Sequence, residues 1–294
     1  MSPQLQYWKS QGAYFSYRHL RVFFRTDGQG EALLILHGYP FNSYDFKDIW
    51  PELTRRFYVV APDMPGMGFS DKPADYPYSF EDHAEMYTAL LQHLKVHRVH
   101  LLAHDLGNSV AQELLARQEA HNLPFEIASI AFLNGGLFTD VYQPRLIQIL
   151  LSKSPPPVGK LISRMISARS VARATAEVFG PNTQPTPKLQ HDFWEILNYN
   201  DGKLLAWKIG RLVFAKDAHQ PRWIGAMQQT KVPMCFINGP ADPNSGLHMA
   251  MRYRELIPNP KVYLLSATIG HWPQLEAPYE VIQHLNRFYA KPES

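Results

Sequence analysis

Apolar residues along this chain fall into short runs, separated by stretches where they recur at helical spacing. The runs at 20–24, 32–36, 57–61, 99–103, 127–133, 234–238 and 262–265 read as β-strands. The stretches at 79–94, 108–121, 247–256 and 278–289 read as helices. Alternation of this kind predicts an α/β fold, a mostly parallel sheet with helices on both faces. The rhythm breaks between residues 136 and 228, where there is no strand pattern. That interval is helical in pattern and punctuated by Pro155, Pro156, Pro157, Pro181, Pro185 and Pro187. It is expected to form a helical cap inserted in a core of residues 1–135 and 229–294. Its expected place is over the C-terminal edge of the sheet, where open α/β folds bind ligands.

The junction between the fourth run and its helix carries the sharpest chemical signal. Ala103-His104-Asp105-Leu106-Gly107 puts small residues at both ends of a strand-to-helix turn, so the middle residue projects. This is a nucleophile elbow with Asp105 where a serine hydrolase has Ser. A carboxylate needs no base to deprotonate it, and it attacks an sp3 carbon by displacement to give an alkyl-enzyme ester. Small apolar electrophiles such as epoxides and alkyl halides then become plausible substrates, with water as the second reactant. The plain structural alternative is that Asp105 merely caps the following helix.

Composition narrows the setting. The 294 residues are 45% hydrophobic, enough for a sizeable core, and the formal charge is only +3. The basic residues are mostly scattered and no nucleic-acid motif accompanies them. The single cysteine, Cys235, lies in an apolar run, which allows no intramolecular disulfide and no thiolate cluster and fits a reducing, cytoplasmic compartment. The first residues lack a signal-peptide layout, and no apolar run is long enough to span a bilayer. One stretch is unusual. No acidic residue occurs between Asp140 and Glu177, yet Arg145, Lys153, Lys160, Arg164, Arg169 and Arg173 do. Such a basic amphipathic segment is either a solvated helix face or a surface able to rest weakly on a membrane.

Four further segments fit a site around Asp105. His37-Gly38-Tyr39-Pro40 follows a strand, and its turn can aim the Tyr39 N–H, paired with that of Leu106, as an oxyanion hole. The loop from Asp63 to Pro73 (DMPGMGFSDKP) fails the phosphate-loop pattern, and Ser70 lacks the closing glycine of a serine elbow. Asp242, after a strand, can fix a histidine tautomer, and His271, just past the last strand, can reach the sheet edge. The chain order nucleophile, acid, histidine is that of the hydrolase triad on this architecture.

HGYP, DMPGMGFSDKP, AHDLGNSVAQELL, GPADP and GHWPQLEAP occur in the order seen in the epoxide hydrolase and haloalkane dehalogenase group of α/β-hydrolases, which the chain resembles from about residue 14 to 289. The resemblance implies an α/β-hydrolase fold, with Asp105 as nucleophile, His271 as the base for water and Asp242 as the orienting acid. Tyr39 and Leu106 would supply backbone donors, and neither a metal nor an organic cofactor is needed. Within the group the side chains diverge. Dehalogenases place Trp directly after the nucleophile to hold the halide, whereas Leu106 has no side-chain donor. Asn134 could contribute one donor, and the orientation of Trp194, Trp207 and Trp223 is open. Epoxide hydrolases use two cap tyrosines. Tyr142 stands near the first, and the window 207–214 where the second is expected holds none, leaving Tyr199 as a substitute. Trp272 is a further candidate contact to substrate. The expectation is an epoxide hydrolase-like enzyme. The alternatives are a haloalkane dehalogenase-like hydrolase, a hydrolase of acyl substrates, and a ligand-binding protein that kept the fold.

Overall fold

The computed structural model describes residues 1–290. Its strands are β1 (Gly12–Tyr17), β2 (Leu20–Asp27), β3 (Ala32–Leu36), β4 (Tyr58–Pro62), β5 (Arg98–Ala103), β6 (Glu126–Phe132), β7 (Met234–Asn238) and β8 (Val262–Leu264). They form one sheet in the order β1-β2-β4-β3-β5-β6-β7-β8. β2 pairs antiparallel with both neighbours, and the remaining pairs are parallel. Each of the seven apolar runs coincides with a strand. β1 has no such run because it is an edge strand in which only Phe15 and Tyr17 are buried.

Helices α1 (Pro3–Ser10), α2 (Trp50–Thr54), α3 (Phe80–His93) and α4 (Leu106–Glu119) accompany the first six strands. Between β6 and β7 the chain is helical throughout its regular elements. These are α5 (Leu146–Lys153), α6 (Pro156–Met165), α7 (Ala168–Ala176), α8 (Pro187–Asn198), α9 (Ala206–Ile209), α10 (Leu212–Ala215) and α11 (Gln220–Gln229), with short 3-10 turns among them. α12 (Leu247–Leu256), α13 (Pro273–Glu276) and α14 (Pro278–Tyr289) complete the described chain.

The two-residue period of a strand explains why both sheet faces are covered. In β3, Ala32, Leu34 and Leu36 pack into one core with Leu90, Val110 and Phe132. Leu33 and Ile35 point the other way, into a second core with Phe46, Trp50 and Leu285. Each such large side chain removed from water contributes about 1.5–3 kcal/mol. Cys235, in β7, is buried and free. The helical segment between β6 and β7 is less completely covered. Leu146, Ile147, Leu150, Val158, Leu161 and Met165 of α5 and α6 are exposed, and Lys153, Lys160, Arg164, Arg169 and Arg173 stand exposed around them. No helix of the described residues is long and apolar enough to cross a membrane.

The turn from β5 into α4 is tight, with positive φ at Asp105. Asp105 has φ +51° and ψ −113°, and its side chain makes no capping bond to α4. A non-glycine residue so placed costs about 1–3 kcal/mol, and the surroundings must enforce it. They do so with backbone hydrogen bonds: Asp105 N–H to Asn134 O (2.8 Å), His104 N–H to Leu36 O (3.0 Å) and Gly107 N–H to His104 O (2.9 Å). α4 can start this close to β3 only because residue 107 is glycine. A Cβ there would stand 2.1 Å from the Leu36 carbonyl oxygen and 2.8 Å from that of His37. Gly107→Ala is therefore expected to lower stability by about 1–3 kcal/mol, the usual cost of forcing atoms into a filled site. Chemical denaturation measures it, and an unchanged midpoint would contradict this account of the turn.

Candidate active site

Asp105, Asp242 and His271 meet above the ends of β5, β7 and β8. His271 Nδ1 lies 2.8 Å from Asp242 Oδ2, and its Nε2 lies 3.5 Å from Asp105 Oδ2. The other oxygen of Asp105, Oδ1, accepts the Tyr39 N–H at 2.9 Å. Leu106 opens α4, where first-turn N–H groups lack intrahelical partners.

Asp242 is fully committed. Its Oδ1 accepts the Asn244 N–H (2.8 Å), and its Oδ2 accepts the Ser245 hydroxyl (2.6 Å) and the Asn134 amide (3.1 Å). Burial alone would raise its pKa, but the charge and hydrogen bond of His271 with these donors bring it down to about 2. Asp105 behaves alike: burial opposes its charge, yet His271, His104 and the Tyr39 N–H hold its carboxyl well below the usual range. For His271 burial disfavours the cation, but the Asp242 charge and hydrogen bond, together with the nearby Asp105 carboxylate, outweigh it and push the pKa up to about 10. His104, buried beneath, keeps a pKa lowered to about 3 by desolvation and gives its Nε2 to the His271 carbonyl (2.8 Å).

The loop carrying His271 is fixed by one carboxylate. Glu276 accepts the N–H groups of Gly270 (2.8 Å) and Trp272 (2.9 Å), and from the helical segment the Gly180 N–H (2.8 Å) and the Thr183 hydroxyl (2.6 Å). The His271 N–H itself donates to the Val178 carbonyl (2.9 Å). On the opposite side Asp63 plays a comparable part. It gathers Asn42 Nδ2, the Ser43 N–H and hydroxyl, and the Phe69 N–H, while the Met64 N–H donates to His37 Nε2. The glycine-rich 63–73 loop is thus a brace for the Tyr39 turn, and Ser70, fully buried, belongs to it.

A cavity of about 200 Å³ opens over this group, walled largely by apolar atoms from α5, α7 and α9. Tyr39, Asp105, Leu106, Tyr142, His271 and Trp272 line it. Asn134, Tyr199 and the indoles of Trp194, Trp207 and Trp223 do not. The Asn134 amide is spent on Gly239 O (2.9 Å) and Asp242. The Tyr199 hydroxyl accepts from Lys9 Nζ (2.9 Å). Trp223 donates to Glu113 (2.8 Å), and Trp272 presents ring surface to the cavity while its N–H goes to Asp45 (3.2 Å). The Tyr142 hydroxyl accepts from Gln148 Nε2 (3.0 Å) and Asn244 Nδ2 (3.2 Å), which leaves its own proton free to donate. Five polar lining residues escaped the sequence reading: Gln148, Ser170, Thr175, Lys216 and Asn244. Lys216 lies two positions past the window searched for a second tyrosine, and only tyrosines were sought there. Among the described residues no group of His, Cys, Asp and Glu is arranged to hold a metal.

Comparison with known proteins agrees with the fold. Residues 31–278 match the family model described as alpha/beta hydrolase fold, and the chain belongs to that family. It is 37% identical to the mesoderm-specific transcript protein of Mus musculus over 287 residues, covering 95% of this chain and 85% of that one. Two solved structures share the fold: the epoxide hydrolase CorEH (TM-score 0.77, 19% identity, 95% of this chain and 98% of that one) and the haloalkane dehalogenase DatA of Agrobacterium tumefaciens (TM-score 0.78, 18% identity, 94% and 95%).

The raised His271 pKa makes a prediction with a sign. Its stabilising charge is fully present below the ordinary histidine value of about 6.5 and is lost as pH rises through about 10. In Asp105→Asn one of the two neighbouring carboxylates is gone, so the His271 ring should titrate at a distinctly lower pH, read by NMR of its ring protons. An unshifted midpoint would show that Asp105 does not hold the cation.

Proposed function

We propose that this family member is a hydrolase with an aspartate nucleophile, most similar in chemistry to epoxide hydrolases, and that residues 136–228 act as its cap. The observation that carries the reading is the division of labour on Asp105. Oδ1 is held by a backbone N–H, and Oδ2 faces the cavity beside His271. In the first step Oδ2 attacks a substrate carbon, the C–O bond breaks and an ester joins enzyme to product. The nucleophile is ionised at neutral pH because His271 stabilises its charge. Esterification removes that charge, so the pKa of His271 falls and the ring becomes able to take a proton from water. The hydroxide attacks the ester carbonyl. The oxyanion forms on Oδ1, where the Tyr39 N–H already points and the Leu106 N–H can join it. Collapse of this intermediate restores Asp105 and releases the diol.

Halide displacement is the weaker reading. The neighbouring residue is Leu106, and Trp272, the indole that lines the cavity, donates elsewhere, to Asp45. No indole N–H is left to hold a departing halide in the cavity. The substrate is a small apolar electrophile, water is the second reactant, and no cofactor enters.

His271→Gln separates the two steps. Incubated with a terminal alkyl epoxide, it should accumulate the full substrate mass on the peptide containing Asp105. Wild-type protein turned over once in heavy-oxygen water should carry the label on Asp105 and not in the diol. Label appearing first in the product would make Asp105 a general base and overturn the nucleophile. Ester formation from haloalkanes, or a mixed anhydride with phenolate release from aryl esters, in place of reaction with epoxides would move the substrate class.

The exposed face of α5 and α6 suits a weak contact with an anionic lipid surface, through apolar side chains ringed by five cations. Sedimentation with phosphatidylserine vesicles should show binding that salt weakens and that Leu161→Ser with Met165→Ser abolishes. Absence of binding at low salt would dismiss the contact.

A further inference from the structure

Lys216 is a buried cation with little to satisfy it. Only 6% of the residue is exposed, and it stands on a 3-10 turn at the cavity wall. Its described hydrogen bond goes from Nζ to the Gly136 carbonyl (3.1 Å), which leaves two of its three N–H donors without a described partner. The ammonium sits 4.4 Å above the centre of the Tyr142 ring. None of the described ion pairs includes it, although burying a charge without a counter-ion is costly.

Its position relative to the nucleophile follows from two adjacent glycines. A Cβ on Gly135 would lie 2.6 Å from the Asp105 Cα, and one on Gly136 would lie 2.3 Å from Lys216 Nζ. The lysine head and Asp105 thus pack against adjacent residues of one backbone segment, and both line the same cavity. An isolated cation at the wall of an apolar cavity, close to an anionic nucleophile, suits a negative charge that appears on the substrate only as the reaction proceeds.

We propose that Lys216 Nζ, together with the Tyr142 hydroxyl, binds the leaving oxygen of the substrate and protonates it as Asp105 attacks. The inference rests on the nucleophile reading given above. As the bond from Asp105 Oδ2 to carbon forms, the electron pair of the breaking C–O bond moves onto oxygen. That oxygen takes a proton from the ammonium and leaves a neutral amine and an alcohol. The proton that His271 later gives up on losing its Asp105 partner restores the ammonium through solvent. Lysine is the better acid of the pair. Burial, partly offset by Asp105 and Asp217, brings it down to about 8, near the pH at which it would work, whereas burial and the Asp105 charge push Tyr142 up. Two donors in the cap then serve the oxygen, one of them a lysine.

Two measurements test this, one without turnover. In an Asp105→Asn background, where the repelling carboxylate is neutral, hexanoate binding is followed by calorimetry. Lys216→Met should weaken it at least about tenfold, since a hydrogen bond to a charged group contributes about 1.5–3 kcal/mol, and Lys216→Arg should retain most of it. Equal binding by the methionine variant overturns the proposal. In the His271→Gln background the rate of ester growth on Asp105 is measured with a terminal epoxide. Lys216→Met should slow it by about 10²–10⁴, the usual contribution of a positioned acid, and should remove a decline in rate as pH rises through about 8. Unchanged rate and profile would also overturn it. If no ester forms with the lysine intact, the nucleophile reading fails, and hexanoate binding alone decides whether Lys216 is an anion site.

Discussion

One imidazole between two carboxylates, Asp242 buried and Asp105 partly open to the cavity, governs this structure. Asp242 is withdrawn from water and Asp105 largely so, and both are held in the ionised form. Two such charges in a low-dielectric site repel each other and have lost their hydration. The cation on His271, bonded to one and close to the other, makes the arrangement tolerable. Much of the surrounding polar structure follows from that need. Asn134, Asn244 and Ser245 satisfy the remaining lone pairs of Asp242. Glu276 and the Val178 carbonyl keep the ring in the one orientation that serves both acids.

How far this was legible in the chain depended on whether a residue's neighbours in sequence are also its neighbours in space. The parallel strands were readable because each is buried on two faces and so is written as a continuous apolar run. β1 was not, since only Phe15 and Tyr17 of its side chains are buried. The elbow was readable because it is a local device: small residues at 103 and 107 around Asp105, a few bonds apart. Tyr142 could be placed by analogy, and the structure puts it on the cavity.

Roles that depend on long-range partners were hidden. Asn134 looked like a donor to substrate, but its amide is taken by Gly239 and Asp242, over a hundred positions away. Tyr199 looked like a cap donor, but it does not line the cavity and stands instead against Lys9 of the first helix. Lys216 gave no sign, because a lysine in a basic chain reads as a surface residue until its burial is known. Its significance lies in a void and in missing partners, and neither is written in a linear pattern. Glu276 is similar: an acid in the first turn of a short helix reads as helix chemistry, yet it collects donors from residues 180 and 183 as well as from its own loop.

The shared anchor at Glu276 bears on modularity. Helical insertions over α/β cores invite the idea that one can be exchanged for another to change substrate choice while the core keeps its chemistry. Here the insertion is also part of the mounting of His271. It supplies the carbonyl that receives the His271 N–H, and its Gly180 fits so tightly that an added Cβ would stand 1.7 Å from the Thr268 carbonyl oxygen. A grafted segment would have to reproduce a carbonyl, an N–H and a hydroxyl at these points as well as a new cavity wall. In this protein the segment that walls the cavity and the contacts that fix the His271 loop are inherited as one piece.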